Sequence, residues 1–317
     1  MHNGGAGISH YIVRTSPNDA GVRVPAARRS HTIQRINPLL GITVSVSAEG
    51  VGGSGVSAST HAQRANTRVF RPSDATWHGR GDPTIIFGRR GDIPVPGDYD
   101  GDGLSEPAVF RPTDGSWVVR GSNNSVRFGR PGDVPVPADY NGDGIVERAV
   151  FRPAEGRWFV DGIGSVRIGA PGDIPVPADY TGDGAAEVAV FRPGNGVWYF
   201  GSFDGNWLNQ GILRTGSSRR FGTRGDIPVP GDWNGDGTVE LSVFRPATGT
   251  WFRPGLPAVQ LGQRTDVPIA GDFNVDGRTD IGVFRPATAT WYLAGVGRVF
   301  FGRHGDNRPS PVREVRR

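Results

Sequence analysis

Apolar residues alternate with prolines from Asp92 to Gly97 (DIPVPG), with Ile93 and Val95 on one side of a predicted short strand and Pro94 and Pro96 on the other. Each proline lacks the N–H that a ladder bond needs, so the strand cannot sit in mid-sheet. It suits an innermost position bordering a channel, where one side has no partner. Pro107 to Arg111 (PAVFR) predicts a second strand, and Asp114-Gly115 in the following turn is a hairpin signal. Trp117 to Arg120 and Ser125 to Phe128 read as third and fourth strands. Four antiparallel strands per forty residues, set radially, make a β-propeller blade.

The whole pattern recurs. VFRP begins at Val69, Val109, Val150, Val190, Val243 and Val283, and a tryptophan follows each time, at Trp77, Trp117, Trp158, Trp198, Trp251 and Trp291. An apolar residue plus glycine closes each unit, at Phe87, Phe128, Ile168, Phe221, Leu261 and Phe301. A fixed period near forty residues marks a repeat architecture. The first unit begins at its second strand, Arg68 to Arg71, and the tail Gly305–Val312 resembles the proline-bearing first strand. The expectation is therefore an all-β, six-bladed β-propeller whose first blade is closed by a C-terminal strand. Residues 67–317 form this propeller and residues 1–66 precede it.

Between the first two strands of a unit lies an acidic loop, Asp98 to Glu106 (DYDGDGLSE), which has copies starting at Asp139, Asp179, Asp232 and Asp272. Oxygen-bearing side chains occupy positions one, three, five and nine, and glycine occupies position six. Alternate positions on a tight loop aim their oxygens at one centre, and the glycine allows the bend. The candidate ligands are Asp98, Asp100, Asp102 and Glu106 with the carbonyl of Leu104, then Asp139, Asn141, Asp143 and Glu147 with that of Ile145. The third set is Asp179, Thr181, Asp183, Glu187 and the Ala185 carbonyl; the fourth is Asp232, Asn234, Asp236, Glu240 and the Thr238 carbonyl. The fifth is Asp272, Asn274, Asp276, Asp280 and the Arg278 carbonyl. A hard cation such as calcium takes six to eight oxygens. Without one, like charges near 4 Å repel by ~4 kcal/mol per pair at an effective dielectric of ~20.

Composition changes this picture little. The 50 Gly and 26 Pro approach a disorder-like level, but the period reads them as turns and strand punctuation. There is no Cys, hence neither disulfide nor thiolate metal site, and all 35 basic residues are Arg. The pI of 9.9 invites a nucleic-acid reading. Residues 1–66 hold the excess, however: six Arg stand there against Asp19 and Glu49, and acids and bases balance over residues 67–317. No basic face is required, and nucleic acid is not an expected partner.

Residues 1–66 carry no repeat and are expected to be disordered. Pro38 to Val46 (PLLGITVSV) after a run of arginines, followed by Ser47-Ala48, resembles an export signal; the alternative is a linker. The Gly/Ser-rich piece Gly50–Thr60 reads as a spacer. No stretch is long and apolar enough for a transmembrane helix.

The FG, GD and DxDxDGxxD/E residues quoted above resemble the FG-GAP and VCBS-type repeats, the class that includes the propeller of integrin α subunits. The resemblance covers about 67–312. It implies an extracellular or cell-surface propeller with calcium in the loops joining strands one and two, acting in adhesion or ligand binding. Similar modules accompany bacterial carbohydrate-active enzymes. The sequence departs in having six units against seven in integrins, Glu at position nine in four loops, and Thr181 and Val275 at atypical positions.

Each recurring feature also has a structural reading. Calcium can be a staple that takes no part in recognition, the tryptophans inter-blade packing, and the VFRP arginines partners of the GD aspartates Asp92, Asp133, Asp173, Asp226, Asp266 and Asp306. Arg80-Gly81-Asp82 looks like an integrin-recognition tripeptide, while the copies at 90–92 and 224–226 read as turns. No nucleophile elbow, zinc motif or phosphate loop is present, so a non-catalytic monomer binding a glycan or surface protein is expected. The alternative is a carbohydrate-active propeller, either polysaccharide lyase or glycoside hydrolase. An insertion within Gly201–Arg220 lengthens the fourth unit; its Phe203, Asp204, Trp207 and Asn209 suit stacking on a sugar and bonding its hydroxyls, or else simple packing on the blade.

Overall fold

The computed structural model describes residues 8–15, 22–25, 42–50, 53–62, 68–71, 73–79, 83–103, 105–201, 203, 217–274 and 276–300. The chain divides into two compact units, Met1–Asn66 and Thr67–Arg317.

The first unit is a four-stranded antiparallel sheet in the order Val22–Pro25, Ile8–Thr15, Ile42–Gly50, Gly53–Ala62. Where the sequence reading places a disordered lead and a flexible spacer, the backbone pairs. Ile42–Gly50 is β-branched at Ile42, Thr43, Val44 and Val46 and takes a partner on both edges. The Gly/Ser stretch completes the sheet through main-chain bonds that need no particular side chain.

The second unit holds six blades. Blade one has Arg68–Arg71, Thr76–Gly79 and Ile85–Ile86; its expected closing strand, around Asp306–Val312, lies outside the described residues. Blades two to six each have four antiparallel strands in sequence order. In blade two these are Ile93–Pro94, Ala108–Arg111, Ser116–Val119 and Val126–Arg127. Innermost strands span only two residues in blades two to five. The second proline of each DIPVPG-like run lies between two donors that bond the second strand, as Val95 N to the Ala108 carbonyl at 2.8 Å and Gly97 N to that of Glu106 at 3.4 Å, so its own missing N–H falls on the open side. Blade six differs in sequence and in strand length. Its run reads DVPIAG, Ala270 replaces the proline, and the strand extends over Val267–Gly271 with Ala270 opposite Ile281.

The core sits within and between the blades. All six repeat tryptophans are at most 2% exposed, each tilted against the phenylalanine of its own VFRP, as in the Phe110–Trp117 pair with centroids 5.3 Å apart. The next blade contributes its VFRP valine: Val150 joins the cluster of Phe110 and Trp117, and Val243 that of Phe191 and Trp198. The indole N–H donates to the carbonyl of the residue that closes the unit, from Trp117 to Phe128 at 2.7 Å and from Trp198 to Phe221 at 2.8 Å. The glycine after that residue is sterically fixed. Gly129 has φ +142°, and a Cβ there would meet Phe110 at 3.0 Å and Val150 at 3.4 Å. The tryptophans are therefore packing residues, as their strict recurrence suggests.

The arginine–aspartate pairing also holds in all five blades where both partners are described. Arg152 donates through Nε and Nη2 to Asp133 at 2.8 and 2.9 Å, and Arg111, Arg192, Arg245 and Arg285 reach Asp92, Asp173, Asp226 and Asp266 in the same way. Each aspartate also caps its own turn, accepting the N–H three residues before it, as from Arg130 to Asp133 at 3.0 Å. The guanidinium lies over the aromatic ring that follows the tryptophan, 4.3 Å from Phe159 for Arg152 and 4.3 Å from Tyr199 for Arg192. Asp306, the sixth partner, lies outside the described residues.

Blade five departs from its neighbours at three linked positions. In blades two to four a tyrosine hydroxyl donates to a valine carbonyl, as Tyr140 to Val136 at 2.6 Å, beside a buried Val119, Val160 or Phe200. In blade five Trp233 replaces the tyrosine, its Nε1 has no partner, and the hydroxyl of Ser242, an alanine in blades two to four, bonds the Val229 carbonyl instead. Arg253 takes the apolar position, half-buried over the Trp233 ring with an unpartnered Nε, and burial lowers its pKa. Arg253→Val should therefore raise stability by about 1 kcal/mol, since an unsatisfied buried donor is removed. A lower urea midpoint for the variant would show that packing of the arginine stem outweighs that donor.

Candidate metal centres in the acidic loops

Each of the first four acidic loops leaves the inner strand and re-enters the sheet through a single bridge, Gly97 to Glu106, Ala138 to Glu147, Ala178 to Glu187 or Gly231 to Glu240. The bridge brings the first and ninth positions together. Inside it the first aspartate organises the turn: Asp139 accepts from Gly142 N at 2.6 Å and Gly144 N at 2.8 Å. Gly144, at position six, has φ +88°, which a side chain would oppose. Position five holds position seven, Asp143 accepting from Ile145 N at 2.8 Å. Position nine reaches back to the second residue, Glu147 accepting from Tyr140 N at 2.7 Å, while Asn141 donates its amide to the other Glu147 oxygen at 2.8 Å. The bonds of the first aspartate and of position nine to the backbone recur in the loops at 98, 179 and 232.

This wrapping turns the carboxylates inward. Asp98, Asp100, Asp102 and Glu106 each offer an oxygen within 4.8 Å of all the others, as do the three acids of the loops at 139, 179 and 232. The fifth loop is not gathered in this way. Its ninth residue is Asp280, one methylene shorter, and that residue lies in a continuous strand opposite Gly271. Leu104 and Val275 lie outside the described residues. Thr181 stands where its neighbours have Asp or Asn, and its hydroxyl donates to Glu187 at 3.1 Å.

The crowding is electrostatically uncompensated. Burial first, then the neighbouring aspartates, pushes the carboxyls of Glu106, Glu147 and Glu240 above the usual range. Glu187, only 4% exposed, is raised to about 8, and Asp280 to about 6, with burial as the leading cause in both. An all-oxygen donor set, with three or four carboxylates and a backbone carbonyl on a loop of fixed shape, fits a hard divalent cation.

The other candidates fare differently. Phe203 is half-buried and meets the Tyr140 ring edge-on at a centroid distance of 6.1 Å, so it packs on the preceding blade. Asp204, Trp207 and Asn209 lie outside the described residues, as does Arg80-Gly81-Asp82. In the copies at 90–92 and 224–226 the aspartate is at most 3% exposed and held by Arg111 or Arg245, as a turn residue should be. Among the described residues of the propeller, the acids outside the loops and GD turns are Asp74, Asp114, Glu155 and Asp161. Asp74 is bonded by Thr76, Asp114 by Ser116 N, Glu155 by Arg152 and Asp161 by Arg148. No helix among the described residues is long and apolar enough to cross a membrane.

The stretch from the acidic loop of blade four to the start of the second strand of blade five, residues 179–243, matches the FG-GAP-like repeat family. No curated protein and no solved structure matches the chain. The matched stretch contains two acidic loops, one VFRP strand with its tryptophan, and the aspartate of a GD turn, the set that recurs from blade to blade. Residues 179–243 are thus similar to FG-GAP-like repeats, within a six-bladed β-propeller whose blades carry the same set of elements.

Proposed function

We propose that this chain is a non-catalytic, calcium-binding propeller that works outside the cell as an adhesion or ligand-binding module, acting as a monomer on a glycan or surface protein. The observation that carries the reading is the convergence of carboxylate oxygens in four successive loops. Asp98, Asp100, Asp102 and Glu106 would hold one ion, and the equivalent residues of the next three loops one each, with the carbonyl of position seven completing each set. A bound ion supplies charge compensation and rigidity. Extracellular calcium modules work at ~10⁻⁴–10⁻³ M, which suits loops with partly neutral ligands such as Asn141, Thr181 and Asn234. The occupied state of the remaining blade acids supports a binding role over a catalytic one, because none of the described ones forms a free facing pair of the kind glycoside cleavage uses.

Isothermal titration of the chelator-stripped chain with calcium chloride should give at least four ions per chain at millimolar concentration, with the Thr181 loop the weakest of the four. Absence of heat up to about 10 mM, well above that affinity range, would remove calcium from the reading. A glycan and surface-protein screen, run with and without calcium, addresses the ligand; turnover of a polysaccharide there would replace the binding module with an enzyme.

A further inference from the structure

We propose that the acidic loops form a coupled array, in which a cation held by one loop raises the affinity of the loop in the next blade; the proposal rests on the calcium reading above. Consecutive loops are joined by a backbone hydrogen bond from the eighth residue of one loop to the carbonyl of the first residue of the loop before it. Val146 N donates to the Asp98 carbonyl at 2.7 Å, Ala186 N to Asp139 at 2.6 Å, Val239 N to Asp179 at 2.8 Å and Thr279 N to Asp232 at 2.7 Å. The acceptor belongs to the residue whose side chain opens a ligand set. The donor immediately precedes Glu147, Glu187, Glu240 or Asp280, the residue that closes the next one.

A second contact reinforces each of these junctions. The fourth residue of each of the first four loops is a glycine lying against the seventh residue of the next: a Cβ on Gly182 would meet the Thr238 hydroxyl at 2.7 Å, and one on Gly235 the Gly277 carbonyl and the Arg278 side chain, both at 3.1 Å. The seventh residue is the one whose carbonyl joins the ligand set. The opening turn of one site therefore touches the eighth and seventh residues of the next, and so bears on two of the five donor positions there.

The physical consequence follows from the order in which freedom is lost. A cation that locks Asp98 also fixes its carbonyl, and with it Val146 and the approach of Glu147. The second loop then has less conformational freedom left to lose when it binds. Linkage makes the effect reciprocal, and coupling between adjacent sites is commonly about five-fold or more in affinity. Blade one has no acidic loop, so the array is an open series of five rather than a closed ring. Its last member, the loop of Asp272, Asp276 and Asp280, has ungathered acids and leans on its neighbour through Thr279. It is expected to fill only after the loop of Asp232.

The test uses the full chain with calcium chloride as the probe. Asp183→Asn removes one charge from the third loop and leaves an oxygen to accept the Ala185 N–H; Asp143→Asn does the same in the second, and circular dichroism in chelator checks that both fold. Titration calorimetry of each variant is expected to show two or more ions weakened by at least about fivefold, with the loss confined to adjacent loops. Asp143→Asn with Asp183→Asn should then lose less of the calcium-induced rise in Tm than the sum of the single losses, while the remote pair Asp102→Asn with Asp236→Asn should be additive. One ion weakened per substitution, with the others unchanged and both pairs additive, would overturn the coupling and leave calcium binding intact. A parent chain that binds no calcium would overturn both.

Discussion

In the absence of calcium the propeller is expected to melt at a lower temperature at pH 8 than at pH 5, and millimolar calcium is expected to invert that order. Glu187 carries most of the effect. Its folded pKa is about 8 against an ordinary value of 4.5, because the bridge to Ala178 buries it among Asp179 and Asp183. Below pH 4.5 the carboxyl is protonated in both folded and unfolded chains, and its contribution to stability no longer changes with pH. Between 4.5 and 8 the folded chain keeps a proton that the unfolded chain has released, so stability falls as the pH rises. Asp280, raised to about 6, adds in the same direction over the lower part of that window, and Glu106, Glu147 and Glu240 are raised as well. The loss is on the order of a few kcal/mol, since each tenfold difference in proton affinity between the folded and unfolded chain is worth about 1.4 kcal/mol. A cation reverses it because its ligands must be deprotonated, so it binds more tightly as the pH rises. Each site at about ten times its dissociation constant adds about 1.4 kcal/mol to the folded state. Melting curves at both pH values, with calcium and with chelator, measure all four conditions. A chelator-treated protein equally stable at pH 5 and 8 would mean that the loops open and solvate their acids.

Asp133→Ala should destabilise the propeller by roughly 3–5 kcal/mol, the range seen when one partner of a buried ion pair is removed. Asp133 is 5% exposed and accepts three hydrogen bonds, two from the Arg152 guanidinium and one from Arg130 N. Alanine takes away both the ion pair and the turn cap, and leaves Arg152 charged against the Phe159 ring with only the exposed Glu155 in reach. Glu155→Ala is the control and should cost less than about 1 kcal/mol, since surface pairs contribute little. Urea denaturation of the two variants separates the roles. A loss under about 1 kcal/mol for Asp133→Ala, the level of a surface pair, would show that the turn holds without its cap and that the guanidinium finds water.

The inner strands show how local rules carry a long way. The prolines of each inner run alternate with residues that do bond the second strand, Val95 N to the Ala108 carbonyl and Gly97 N to that of Glu106, which is what an alternating pattern on an innermost strand predicts. The arginine–aspartate pairs were legible for a similar reason. Both residues recur at a fixed offset of nineteen positions, and the acidic loop between the first two strands of the blade separates them. The loops were legible because a ligand set contained in nine residues leaves its mark in nine residues. Blade five was not. Reading Trp233 as one more aromatic misses that Ser242 and Arg253 change with it, since the three meet only when the sheet forms.

The sequence by itself determined the repeat, the four-stranded blade, the acidic loop and the packing role of the six tryptophans, because each rests on residue types repeated at a fixed local spacing. Tertiary structure alone decided that the fifth loop falls short of gathering its acids, that strands between residues 8 and 62 pair into a sheet, and that successive loops touch. The bond from Val146 N to the Asp98 carbonyl spans two blades and uses only backbone atoms, which every residue but proline can supply. Such a bond leaves no residue type behind to be read, and is set only by how the blades are placed side by side.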